Sequence, residues 1–315
     1  MSETSSAASD GSLPWRVAVT GASGLIGGAL VRRLAAEGAQ VHRLVRGEPK
    51  PGSGDVRWDP AAGTIDAAAL EGVDAVVHLA GENVGERWTE ERKQRILRSR
   101  VEGTRLLTQA LAQLERKPRV MVGASAVGIY GDRGDELLDE GSTAGSDFLA
   151  GVVREWEAAA EPARGAGIRV AHLRFGVVLS ASGGALAKML PPFRLGAGGR
   201  MGDGKQWMAW VSLDDAVGAI LLALRDGAVR GPVNVVAPNP VTNAQFTEAL
   251  GRALGRPTLL AVPAFALKAL FGEMAEGTVL ASQRVIPQRL TELGYTFRHP
   301  DISTALQAAL AETPG

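Results

Sequence analysis

Short apolar, β-branched runs alternate with helical patterns over residues 16–124. The runs are RVAVT (16–20), QVHRLV (40–45), DVRW (55–58), DAVVHLA (74–80) and RVMVGA (119–124). Between them, apolar positions at spacings of three and four predict helices over 25–37 and about 89–114. GIRVAHLRFGVVL (167–179) predicts a sixth strand. Before it, SDFLAGVVREWEAAA (146–160) reads as an amphipathic helix: Phe148, Val152, Trp156 and Ala159 share one stripe, and Asp147 suits its N-terminal end. Apolar strands alternating with helices imply βαβ units and a parallel sheet covered on both faces.

The pattern changes after residue 180. Residues 180–210 are rich in Gly and Pro, a helix begins near Asp214, and PVNVVA (232–237) predicts another strand. TNAQ (242–245) is a capping-box signal for a helix. Short helical patterns over 258–312 are broken by Pro263, Pro287 and Pro300. The expected organisation is an α/β, doubly wound parallel sheet over 15–180 and a smaller, mainly helical lobe over 181–315. About 212–237 returns to the sheet, and 1–14 forms a disordered tail. Ligands of open α/β sheets sit at the carboxyl edge of the strands, where the lobe would lie.

Composition narrows the function classes. The chain of 315 residues is 45% hydrophobic, enough for a large core. Lys plus Arg and Asp plus Glu number 34 each, which gives no support to a nucleic-acid or membrane partner. With no Cys and four scattered His residues, disulfides, a thiol nucleophile and a metal site are not expected. No apolar run approaches membrane-spanning length, and the polar opening MSETSSAASDGS lacks the basic and apolar regions of a signal peptide. A cytoplasmic protein, monomer or homodimer, is the expectation.

The strongest chemical signal is VAVTGASGLIGGALVRRL, where a strand runs through Gly21, Ser23, Gly24, Leu25, Ile26 and Gly27 directly into a helix. Gly21 would allow the tight turn, Gly24 the approach of a pyrophosphate, and Gly27 close helix–strand packing. The phosphates would sit on free N–H groups at the positive helix end. At the tip of the second strand an enzyme selective for NAD usually carries an acid. This chain has Val45 and then Arg46, a cation able to neutralise a 2′-phosphate, with Arg43 or Ser23 as helpers. The cofactor expected is NADP(H).

The GxxGxxG spacing, with HLAG, VEGTRLL, SAVGIYG and VSLDDAV, resembles the extended, epimerase-like branch of the short-chain dehydrogenase/reductases. WDP, HLAGENV, RWTEERKQRILRSRVEGTRLL, GDGKQWMAWVSLDDAV and SQRVIPQRL narrow the resemblance to the atypical subgroup called epimerase family proteins, over about residues 16–312. It implies a Rossmann domain holding NADP(H) and a C-terminal substrate lobe. It also implies that Leu79, Ala80, Gly81 and Glu82 line the cofactor, that Trp58 or Asp59 flanks the adenine, and that Gly176 and Val177 touch the nicotinamide half. Arg100 stands where typical members have Asn, and a charged fork there suits a phosphate or an anionic substrate group.

Typical members use a Ser or Thr, a Tyr and a Lys four residues later. Hydride transfer changes the charge on the substrate oxygen, so a proton donor must stand within reach, and the Lys lowers the Tyr pKa. Aligned on the shared YG, these positions fall on Ala126, Phe148 and Val152. The standard set is absent. Tyr130 and Ser125 are weak alternative donors, and Glu82 and Asp147 have ordinary explanations as a loop acceptor and a helix cap. On the substrate side, Lys188, Lys205, Gln206, Trp207 and Trp210 are the expected pocket residues, around the loop GAGGRMGDGKQWMAW. Asp214 and Asp215 are expected to cap a helix and hold the lobe. The function expected is an oxidoreductase or epimerase-like enzyme with an unknown small-molecule substrate. The alternative is a non-catalytic NADP(H) sensor.

Overall fold

The computed structural model describes residues 15–311. The tail expected over 1–14 lies outside them. Eight strands form the central sheet: β1 (Arg16–Thr20), β2 (Gln40–Val45), β3 (Val56–Asp59), β4 (Thr64–Ile65), β5 (Ala75–His78), β6 (Val120–Ala126), β7 (Arg169–Phe175) and β8 (Gly231–Val235). Their spatial order is β8-β7-β6-β5-β1-β2-β3-β4, and every pairing is parallel except the β3–β4 hairpin. The chain moves outward from β1 through β2 and β3, then returns to the other side of β1 at β5. That reversal opens a crevice between the carboxyl ends of β1 and β5. The doubly wound α/β arrangement expected from the strand and helix pattern is the one observed.

Alternation along each strand divides the core into two layers. Val17 and Val19 of β1, with Ala75, Val77, Val120 and Val122, face Leu30 and Leu34 of α1 (Leu25–Ala36) and Ile220 and Leu224 of α5 (Leu213–Arg225). Ala18, Val76 and Met121 face the other way, onto Leu107 and Leu111 of α2 (Glu90–Gln113). Both faces are apolar because both are covered. A third core belongs to the C-terminal lobe. There Leu186, Leu190 and Phe193 of α4 (Gly184–Arg194) pack with Trp210, with Phe246 and Leu250 of α6 (Asn243–Leu254), and with Leu306. The Thr242–Gln245 capping box starts α6 as its sequence requires. Among the described residues no helix is long and apolar enough to cross a membrane.

The run 167–179 is not one strand. A Cβ on Gly176 would lie 2.6 Å from the carbonyl oxygen of Ala209, so glycine alone permits this backbone crossing. Beyond it, residues Val177–Leu179 leave the sheet to pair with Trp210–Ser212. Three further short pairings, 199–201 with 260–262, 207–208 with 241–242, and 137–138 with 284–285, carry no alternation long enough to be read in advance.

Ser212 caps α5, its hydroxyl accepting from Asp215 N and donating to Asp215 Oδ2 at 2.7 Å. Asp215 also accepts from the backbone N–H of Arg298 (2.7 Å) and of His299 (3.0 Å), which ties the C-terminal segment to the sheet domain. Its carboxylate is buried and saturated. Asp215→Ala strands these donors and is expected to lower unfolding free energy by about 3 kcal/mol, measured by urea denaturation.

Candidate functional site

The crevice starts with glycine geometry. Gly21 has φ +65°, and a Cβ there would lie 2.8 Å from the carbonyl carbon of Leu79, so the ends of β1 and β5 approach without a side chain between them. A Cβ on Gly27 would strike the carbonyl oxygen of Gly21. Gly24 is the N-cap of α1 and offers no side-chain acceptor. Gly28 N is the first to bond back along the helix, to Gly24 O, which leaves the N–H groups of Leu25, Ile26 and Gly27 pointing into the crevice. A dinucleotide pyrophosphate fits this cradle, with no side chain to displace.

The second wall is held by a buried polar relay that sequence reasoning missed. Thr20 Oγ1 accepts from the N–H groups of Leu79 (3.0 Å) and Ala80 (3.1 Å), so its own proton goes to His78 Nδ1 at 2.8 Å. His78 Nε2 then carries the ring proton and donates to Thr104 Oγ1 at 3.0 Å. Burial holds the His78 imidazole neutral, its pKa pushed down to about 4. The available signal was a histidine inside the apolar run DAVVHLA, 26 residues before the Thr of VEGT. The next residues of this loop are fixed by α2. Arg100 donates to Glu82 O (3.0 Å) and Ile96 O (3.3 Å), stacks over Trp156 at 5.0 Å, and lies close enough to Gly81 that a Cβ there would touch it at 3.3 Å. Burial lowers its pKa to about 10, an effect the nearby Glu82 carboxylate partly offsets, and the guanidinium stays charged.

At the tip of β2, Arg46 is exposed and has no hydrogen-bond or ion-pair partner among the described residues. Arg43 is not a free helper, because Asp55 holds it through two hydrogen bonds of 2.8 Å. Trp58 does not flank an open site: it is 4% exposed, packed in the α2-side core, edge-on to His78. Asp59 caps its own turn by accepting from Ala61 N and Ala62 N. Gly176 and Val177 lie at the carboxyl end of β7, where Val177 N donates to Ala209 O at 2.8 Å.

The positions onto which the resemblance maps the usual proton donor and its Lys are filled with packing. On α3 (Phe148–Ala158), Phe148 meets Trp88 edge-on at 5.1 Å, and Val152 is buried with Trp88, Ile96 and Met274. Lys93, held by Glu90 and Glu273, lies 5.4 Å from the Phe148 ring centroid. Asp147 caps the helix through Ala150 N. Neither alternative hydroxyl is available. Ser125 Oγ donates to Glu157 Oε1 at 2.6 Å, and Glu157 accepts two hydrogen bonds from Arg174 (2.8 and 2.9 Å). Arg174 donates to Tyr130 Oη at 3.1 Å, and Tyr130, fully buried, donates to Asn234 Oδ1 at 2.7 Å. Burial raises the Tyr130 pKa, so the phenol stays protonated. Burial opposes ionisation of Glu157, but the bonds and charge of Arg174 outweigh it and hold the carboxyl below its ordinary value.

The expected substrate residues separate. Lys188 of α4 reaches Gly85 O at 3.3 Å, across the mouth from the loop after β5. Trp210 is core, 1% exposed. Gln206 is buried and ties Met201 O to Val279 O. Trp207 donates to Asp135 at 2.8 Å and lies under Arg284, and the exposed side chain of Lys205 has no polar partner among the described residues. Gln206, Trp207 and Trp210 shape the lobe rather than converge on one pocket, because its folded loop needs their bonds and volume, and Lys205 extends into solvent.

The NAD-dependent epimerase/dehydratase family model matches residues 17–236, and a domain of unknown function matches 262–309. An epimerase family protein of Mycobacterium bovis is 45% identical over 291 residues, 92% of this chain and 96% of its own. The solved structure of the human epimerase family protein SDR39U1 with NADPH has TM-score 0.85 at 36% identity, covering 94% of this chain and all of that one. A nucleoside-diphosphate sugar epimerase structure from Corynebacterium glutamicum has TM-score 0.79 at 42% identity, and the match covers 96% of this chain but 59% of that one.

Two outcomes follow. Tyr130→Phe is expected to lower unfolding free energy by about 2 kcal/mol while leaving NADPH affinity unchanged in a fluorescence titration. His78 and His172 are both buried neutral, with pKa values near 4 against an ordinary 6.5. The unfolded chain therefore binds protons that the folded chain refuses, and stability falls as pH drops from 6.5 toward 4. The cost is roughly 3 kcal/mol per imidazole at the lower limit. Urea midpoints across that range should show this slope, shallower in His172→Gln.

Proposed function

The chain belongs to the NAD-dependent epimerase/dehydratase family, and from that membership we propose that it binds NADP(H) and acts as an oxidoreductase or epimerase-like enzyme on a small molecule. The observation that carries this reading is the glycine cradle between β1 and β5, with three free helical N–H groups beside it and the unpaired Arg46 at the adenosine end. The NADPH of the human relative supports the choice of cofactor. When bound, the nicotinamide supplies or accepts hydride. The protein's own residues bind the phosphates, hold the loop 79–82 in place and present an aromatic wall at Phe148 and Trp88. Proximity and orientation then carry most of the acceleration. Loss of a side-chain acid or base costs roughly 10²–10⁴-fold.

A second reading has a specific observation behind it. Phe148 and Val152 sit in an apolar cluster where the usual donor and its Lys would stand. A protein that holds NADP(H) and reports its state to a partner needs neither group.

A single-turnover assay separates the two. The chain loaded with NADPH is mixed with fractionated metabolite extract, and the reduced-nicotinamide absorbance is followed. The enzyme reading expects its loss in some fractions, abolished when cofactor cannot bind. Tight NADPH binding with no loss in any fraction and no epimerised product favours the sensor. Arg46→Ala is expected to weaken NADPH by about 10–100-fold and NADH by less than about threefold, the difference expected for one charged contact to the 2′-phosphate.

A further inference from the structure

Six large apolar side chains of the C-terminal lobe face solvent: Leu195 (84% exposed), Leu259 (93%), Leu260 (56%), Val262 (38%), Phe265 (75%) and Leu270 (64%). They are neighbours in the fold. Leu260–Val262 is a strand paired in parallel with Gly199–Met201, and Pro263 leads directly into the helix Ala264–Phe271. A Cβ on Gly196 would lie 4.0 Å from Pro257, which sets Leu195 beside the chain entering that strand. Ala261 and Pro263 between them are exposed as well. Exposed apolar side chains gathered in one stretch of a lobe mark an interaction site.

The backbone adds a second feature. Gly202 N donates to Val262 O at 2.9 Å, so the peptide groups of Leu260 and Val262 face the 199–202 segment. By strand alternation the N–H and C=O of Ala261 face outward. The strand has one partner among the described residues, and its outer edge is open.

We infer that this face is the interface between two copies of the chain, joined edge to edge at residues 260–262 around a twofold axis. Three arguments select a second copy. An open edge is self-complementary under a twofold: Ala261 of each chain exchanges its N–H and C=O with the other, and Leu260 comes opposite Val262. The exposed side chains flanking that edge are apolar, the composition that homodimer interfaces favour. A lipid surface would cover the side chains but leave the strand edge without hydrogen-bond partners, which hydrocarbon penalises. Arg194 and Arg256, without carboxylate partners among the described residues, border the patch as a polar rim.

The test is sedimentation velocity on the full chain between about 1 and 100 µM. The unmodified chain is expected to sediment at twice its mass. Two variants, Leu259→Asp with Phe265→Asp and, separately, Ala261→Pro, are expected to sediment as monomers while keeping the circular dichroism spectrum and NADPH affinity of the parent. Because the aspartates replace exposed side chains, folding is spared, and the proline removes the edge donor without adding charge. A monomeric parent across the range overturns the inference, as does a dimer that survives both variants. So does a monomer that binds anionic phosphatidylserine vesicles through the same leucines, since the occupant would then be lipid.

Discussion

The crevice depends on one close approach: β1 and β5 end against each other with only backbone between them. Gly21 supplies the left-handed turn and the missing side chain, and Thr20 holds Leu79 and Ala80 by their N–H groups from the same strand end. The two features are coupled through His78. Its neutral ring can accept the Thr20 proton at Nδ1 only if Nε2 donates to Thr104, which places α2 in the same relay. A glycine loop, a histidine strand end and the VEGT helix segment are therefore parts of one device, although they are widely separated in the chain. A charged imidazole would break it by turning an acceptor into a donor, and burial prevents that.

Around this device, side chains at the carboxyl edge of the sheet are committed to packing and internal hydrogen bonds. The helix α3 shows the exchange most clearly. Phe148 and Val152 bury area against Trp88, Ile96 and Met274, and Arg100 of α2 stacks on Trp156 further along the same stripe. The wall this helix presents is apolar, with one desolvated guanidinium at its far end. On the strand side, Ser125 and Tyr130 belong to a chain of bonds running through Glu157, Arg174 and Asn234. Every hydroxyl in that chain already has a partner, so using one as an acid or base would leave a buried charge uncompensated.

What could be read in advance follows the range of the signal. The continuous apolar runs in RVAVT and DAVVHLA mark strands covered on both faces, and the glycine spacing at 21, 24 and 27 needs only local geometry. Both are visible along the chain. The break at Gly176 is not, because its cause is the carbonyl of Ala209 crossing from a segment 33 residues away in sequence. Arg43 and Arg46 show the same limit. They sit three residues apart on one strand and its tip, and only the fold reveals that Asp55 occupies the first and leaves the second free. Trp207 and Trp210 looked equivalent in the sequence. Alternation and pairing send Trp210 into the lobe core beside Phe246 and leave Trp207 against Asp135 and Arg284.

The lobe follows from these constraints rather than adding to them. Asp215 accepts from the backbone of Arg298 and His299, Gln283 donates to Gly131 O at 3.1 Å, and Lys188 meets Gly85 O. Each bond joins a lobe segment to a loop at the carboxyl edge of the sheet or to the helix that follows it. The lobe is thus fastened around the crevice at several places, while its outer face, from Leu259 to Leu270, keeps apolar side chains that no part of the described chain covers. The bonds that fasten the lobe are spent inward, toward the crevice, while its apolar side chains over 259–270 are turned the other way.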